Sequence, residues 1–174
     1  EAVRRKGWYR GLPVDIAGLA VIDGHARSAL ESPRAAVWFD AQGTPHFDAP
    51  TDGDHVMFGG SDWIDRLLRD GEIVTADRQR HPRTMAGVDA ARRIMWFVVV
   101  DGRQPGYSEG ITLAEGAQIM KDLGCHNATN LDGGGSSIML FERDGGLQVV
   151  SRPSGGRPRP VPVMWGVRLR EAQP

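Results

Sequence analysis

Hydrophobic positions fall in short bursts along this chain, and turn residues close nearly every one. The longest burst lies within residues 93–102, where seven apolar residues, Ile94 to Val100, end at Asp101. That continuity is too great for a strand with one wet face and predicts a central strand covered on both sides. Shorter bursts at 18–23, 35–40, 127–132, 137–142, 147–152 and 163–169 predict further strands, with 143–146 as a hairpin turn. Another short strand is expected to begin at Arg83 and Thr84, because Pro82 holds His81 before it in an extended backbone.

Two stretches carry helical spacing instead. In 112–124, Leu113, Ala117, Met120 and Leu123 recur on one face, Gly124 suits the residue after the last turn, and Thr112 with Glu115 has the spacing of a reciprocal cap. Gly116 inside it costs about 1 kcal/mol relative to alanine. In 61–71, a Ser61 cap, the pairs Trp63/Leu67 and Ile64/Leu68, and Gly71 predict a second, shorter helix. Strands outnumber helices, so the fold class is α+β, a mixed β-sheet with few helices. One strand–helix–strand crossover is expected, pairing 93–102 in parallel with 127–132 and feeding the turn that follows.

That turn is the unusual one. Residues 127–140 read NATNLDGGGSSIML, with three successive glycines and two serines directly after Asp132. A hairpin needs one or two glycines, not three. Bare residues let successive amides point into one concavity and form a nest for a phosphate or carboxylate, with Ser136 and Ser137 adding hydroxyl donors. The spacing fits neither a phosphate-binding P-loop nor a hydrolase nucleophile elbow, and neither 48–55 nor 131–142 has the alternating acidic ligands of an EF-hand. Asp101 ends one member of the expected parallel pair and Asp132 ends the other. Both carboxylates, with Arg103, are therefore expected to face one pocket beyond the strand ends. The plainer reading of each Asp-Gly, a simple turn, stays open beside this one. Arg83 and Thr84 start a strand, a fixed place from which a guanidinium can clamp phosphate.

Composition narrows the setting. At 174 residues the chain is read as one domain, 1–174, with 40% apolar and 25% charged residues. A net charge of -1 and dispersed arginines argue against nucleic acid as a partner. The single Cys125 excludes an internal disulfide and a cysteine zinc site, and the five histidines lack paired metal spacing. No apolar stretch approaches the roughly 20 residues that span a bilayer. A chain starting at Glu1, with no signal-peptide pattern, is read as a processed or excised piece. No cofactor is expected. The metal question is open, since an oxygen-lined pocket suits Ca²⁺ or Mg²⁺ but the sequence holds no dedicated cage. Oligomeric state is open too.

Four segments in order, HPRTMAGVD, WFVVVDGRQPGYSEGITLAEGAQIM, LGCHNATNLDGGGSSIML and SRPSGGRPRPV, resemble the phosphodiester glycosidases from about Gly59 to Leu169. The resemblance implies a hydrolase that removes a sugar, N-acetylglucosamine among family members, from a sugar-1-phosphodiester and leaves a phosphomonoester. Its motif positions fall on Arg83, Thr84, Asp101, Arg103, Ser108, Gly110, Asn130, Asp132, Gly133, Gly134, Gly135, Ser136, Ser137 and Arg159. Carbohydrate metabolism outside the cytosol, on a cell-envelope or other sugar-phosphate substrate, is implied by the same resemblance. An upstream Asn-Gly-x-Phe-like motif is not found, so an N-terminal portion of the domain is expected to lie outside this chain. Ser151 stands where Asn often precedes xPS, Glu109 replaces a small apolar residue, and Gly116 a helix-core leucine.

Cleaving the sugar–oxygen bond needs a carboxylate at the anomeric carbon and cationic donors on the departing phosphate. Asp132 is assigned as base or nucleophile, Asp101 as its acid/base partner, and Arg83 as a catalytic phosphate ligand. Arg103, Arg159 and the 133–137 turn are expected to bind substrate, with Thr84 and Asn130 orienting the sugar. Two other functions fit the same residues: a phosphodiesterase cutting P–O, and a non-catalytic module for sugar-phosphate polymers.

Overall fold

The computed structural model describes residues 20–22, 25–28, 36–48, 58–59, 65–161 and 164–169. Its strands are β1 (Ala20–Ile22), β2 (His25–Ser28), β3 (Trp38–Phe39), β4 (Pro45–His46), β5 (Phe58–Gly59), β6 (Asp65–Arg69), β7 (Glu72–Ile73), β8 (Arg83–Val88) and β9 (Met95–Val100). Helix α1 (Leu113–Asp122) follows, then β10 (Asn127–Asn130), a 3-10 turn (Gly134–Ser136), β11 (Leu140–Arg143) and β12 (Gly146–Val149). This is the sheet-rich α+β class expected from the apolar bursts.

Helix α1 forms where its cap and spacing place it. Thr112 Oγ1 accepts the Glu115 amide at 3.1 Å, and Glu115 Oε2 accepts the Thr112 amide at 2.9 Å. Its buried face, Leu113, Ala117 and Met120, packs with Leu67, Leu68, Met85, Cys125 and Ala128. Full burial of each large side chain contributes about 1.5–3 kcal/mol. On the opposite face of β8, Ala86 and Val88 join Val37 and Phe47, with Phe97 and Trp165 against them. β8 is thus covered on both sides, its side chains alternating between two clusters.

The main sheet runs β7–β6–β10–β8–β9, and every pairing in it is antiparallel. β9 and β10 both oppose β8, so they point the same way with β8 between them. The expected parallel neighbours are therefore two strands apart, about 10 Å at ordinary strand spacing. They still end on one rim, at Val100 and Asn130, where β8 begins.

Three expectations are corrected. Residues 65–69 of the expected second helix form β6 instead, and 61–64 lie outside the described residues. The pairing between β6 and β10 slips at Leu67, where Ala128 opposes Leu68 and Thr129 opposes Arg66. This bulge leaves both leucines in the cluster under α1, a burial that helical spacing imitates. The terminal glycine belongs to the hairpin turn of Asp70 and Gly71, both at positive φ. The 93–102 burst is a half-buried strand with one partner among the described residues, while β10 and β8 have two each. Residues 164–169 form no strand, and Trp165 instead packs on Phe97 at 5.5 Å. The hairpin at 143–146 is as expected, with Asp144 and Gly145 at its turn.

Candidate active site

After β10 the chain stays stitched to the start of β8. The Leu131 amide donates to the Thr84 carbonyl at 2.7 Å and the Gly134 amide to Pro82 at 2.8 Å. The glycine turn is thereby held against Arg83, and each glycine has its own steric reason. A Cβ on Gly133 would stand 2.8 Å from the Pro82 carbonyl oxygen. One on Gly134, where φ is +60°, would lie 3.0 Å from Arg103 Nη1, and one on Gly135 would lie 3.0 Å from Arg159 Nη1.

Three amides of the turn are engaged within the protein. The Gly134 amide donates to the Pro82 carbonyl, and those of Ser136 and Ser137 to Gly133 and Gly134 within the turn. Gly134 and Gly135 leave room for two guanidiniums to lie on them, and the guanidiniums add positive groups. Around this floor is an opening of about 330 Å³ lined by Arg83, Arg103, Arg159, His81 and Asp132. Three arginines and one aspartate line it, a balance that favours an anionic ligand.

Each cation is held differently. Arg83 is 7% exposed. Its Nε donates to the Ile111 carbonyl at 3.2 Å, and its Nη2 to the Gln79 carbonyl at 2.8 Å and to Asp77 Oδ2 at 3.4 Å. The Asp77 carboxyl is held below its usual pKa, first by the Gln79 amide and then by Arg83. Arg103 has φ +56° and donates from Nε and Nη2 to His81 Nδ1, at 3.4 and 3.2 Å. Those donations leave the proton of a neutral His81 ring on Nε2. Burial, Arg103 and Arg83, in that order, push the His81 pKa down. Arg159 Nη2 donates to Ser136 Oγ.

Asp101 was expected to face this opening beside Asp132. Its residue does not line the opening. Oδ1 accepts the Arg152 amide at 2.8 Å and Oδ2 accepts the Tyr107 hydroxyl at 3.0 Å. The strand ends share a rim as expected, and this carboxylate is bonded to Tyr107 in its own loop and to Arg152 in another. Ser108 Oγ donates to the Asp101 carbonyl at 2.6 Å, and a Cβ on Gly110 would strike the His81 carbonyl, so these two shape the loop as well. Thr84 Oγ1 donates to Ser137 Oγ at 3.2 Å. Asn130 is 4% exposed, and its Oδ1 has no partner among the described residues. Neither Thr84 nor Asn130 lines the opening. Among the described residues, no three His, Cys, Asp or Glu side chains gather as a metal cage.

The phosphodiester glycosidase family model matches residues 28–168. This chain belongs to that family. A zebrafish N-acetylglucosamine-1-phosphodiester alpha-N-acetylglucosaminidase catalytic domain, auto-inhibited by its pro-peptide, is similar at 26% identity and a TM-score of 0.64. That match covers 80% of this chain and 51% of the zebrafish one, so this phosphodiester glycosidase domain spans about half that structure's length. A hypothetical protein from Synechocystis shares the fold at 16% identity and a TM-score of 0.57, covering 80% of this chain and 46% of that one. Among curated proteins, none matches the chain. No helix among the described residues is long and apolar enough to cross a membrane.

His81 is the lining residue of this glycosidase domain that motif reading passed over. The signal was present: His81 stands two residues before Arg83 in an extended HPR segment, the spacing that returns side chains to one side.

Proposed function

We propose that this domain hydrolyses a sugar-1-phosphodiester of the N-acetylglucosamine-1-phosphodiester kind, releasing the sugar and a phosphomonoester. The observation that carries the proposal is the gathering of Arg83, Arg103 and Arg159 with Asp132 around one opening. A bound phosphodiester carries one negative charge. As the sugar–oxygen bond breaks, the departing group moves toward a dianion, so the guanidiniums favour the transition state over the substrate. Asp132 then serves the anomeric carbon, as nucleophile or as base for the incoming water. Water supplies the oxygen that ends on the sugar, and the bridging oxygen leaves with phosphate. A phosphate leaving group needs little protonation, which agrees with an Asp101 engaged elsewhere. Action outside the cytosol, on a cell-envelope polymer, belongs to this proposal through the family resemblance.

One observation favours a second reading, a binding module for sugar-phosphate polymers: a single carboxylate residue lines the opening, where glycoside hydrolysis ordinarily uses two. Assay of an N-acetylglucosamine-1-phosphodiester separates them. Hydrolysis is expected, and Asp132→Asn is expected to lower kcat by about 100-fold or more while phosphate still binds. Binding without turnover would select the module instead.

A further inference from the structure

The carboxylate of Asp101 closes a ring of contacts on the protein surface. The peptide of Arg152 is gripped at both ends: its amide donates to Asp101 Oδ1 at 2.8 Å, and its carbonyl accepts from Gln104 Nε2 at 2.8 Å. The Arg152 guanidinium lies over the Tyr107 ring, 4.6 Å from its centre, and the Tyr107 hydroxyl returns to Asp101 Oδ2. Two loops are joined here. One, residues 101–110, is folded back by paired bonds between Gln104 and Ser108, both 2.9 Å, and carries Arg103. The other runs from Ser151 and carries Arg159.

We infer that Asp101 is a positioning residue that sets the spacing of Arg103 and Arg159, rather than a reacting carboxylate; the inference rests on the anion-site reading of the opening. Arg103 and Arg159 lie on successive glycines, Gly134 and Gly135, one from each joined loop. A phosphate oxyanion bridging both guanidiniums requires the loops at one fixed separation. Arg103 also holds a left-handed backbone that a side chain rarely adopts unaided, and Asp101 anchors the chain two residues before it. Tyr107 is 56% exposed, so the ring can be opened without cutting into a core cluster.

Calorimetric titration of inorganic phosphate into Asp101→Ala, Asp101→Asn and Tyr107→Phe reads this directly. Asp101→Ala is expected to weaken phosphate by roughly five- to tenfold, and Tyr107→Phe by about two- to fivefold, as hydrogen bonds holding the loops are lost. Asp101→Asn is expected to restore most of the affinity, because its amide oxygen still accepts from the Arg152 amide, and to leave the pH–rate profile unmoved. Unchanged phosphate affinity in both Asp101→Ala and Tyr107→Phe would overturn the inference. So would an Asp101→Asn protein that binds phosphate normally yet loses turnover by more than about 100-fold, the mark of a proton-transferring group. Tyr107→Phe decides the matter should Asp101→Ala not fold. If the unsubstituted protein turns over no phosphodiester, the titrations still test Asp101 while the hydrolase reading fails separately.

Discussion

A Cβ at Gly133 would meet backbone, the Pro82 carbonyl oxygen, whereas one at Gly135 would meet only the end of a flexible arginine. Substitution by alanine should therefore have opposite consequences two residues apart. Gly133→Ala is expected to destabilise the fold by about 1–3 kcal/mol, because the strand start must shift. Gly135→Ala is expected to cost under about 0.5 kcal/mol yet weaken phosphate binding, since the Arg159 guanidinium is displaced. Chemical denaturation and phosphate titration on the two variants check both halves. His81 supplies a second test at this scale. Its pKa is lowered from 6.5 by burial, Arg103 and Arg83, with Asp77 opposing. A histidine held low binds its proton more readily in the unfolded chain. Its contribution to stability is complete above that ordinary value and is lost as pH falls through the lower folded value. Denaturation at a series of pH values from about 7 downward should show this loss, and His81→Gln should lack it.

Helix α1 shows how far local pattern reaches at the scale of one element. Its cap was legible because Thr112 and Glu115 interact within one turn and need nothing from the rest of the fold. Thr112→Ala is expected to cost about 1 kcal/mol, measurable as a lowered denaturation midpoint. Gly116 was misleading on propensity alone. A Cβ there would stand 2.7 Å from Met85 Sδ, in the cluster between helix and sheet. Gly116→Ala is expected to destabilise by about 1–3 kcal/mol rather than stabilise by the helix-propensity difference. A raised midpoint would contradict that close packing. β6 was illegible for a related reason. Leu67 and Leu68 are buried together only because a bulge in the pairing with β10 turns both toward α1, and a bulge has no local apolar period. β9 misled by composition, since six of the seven apolar residues filled a half-buried strand with one described partner.

Across the molecule, the strand order brings residues some 50 positions apart to one rim, from Arg83 at the start of β8 to Asp132 after β10. The sequence showed which segments end there, because each apolar run stops at a chemically distinctive residue. It did not show where the side chains turn. Asp101 looked equivalent to Asp132 in its run, and only the folded loops bond its carboxylate to the Tyr107 hydroxyl and the Arg152 amide. The glycines had a further reason that spacing could not show: Gly134 and Gly135 leave room for guanidiniums from residues 103 and 159. The most direct measurement is hydrolysis of an N-acetylglucosamine-1-phosphodiester in oxygen-18 water, with mass analysis of both products. The label is expected in the released sugar, as cleavage at the anomeric carbon under Asp132 requires. Label in the phosphate would mean attack on phosphorus, and the central claim would be wrong.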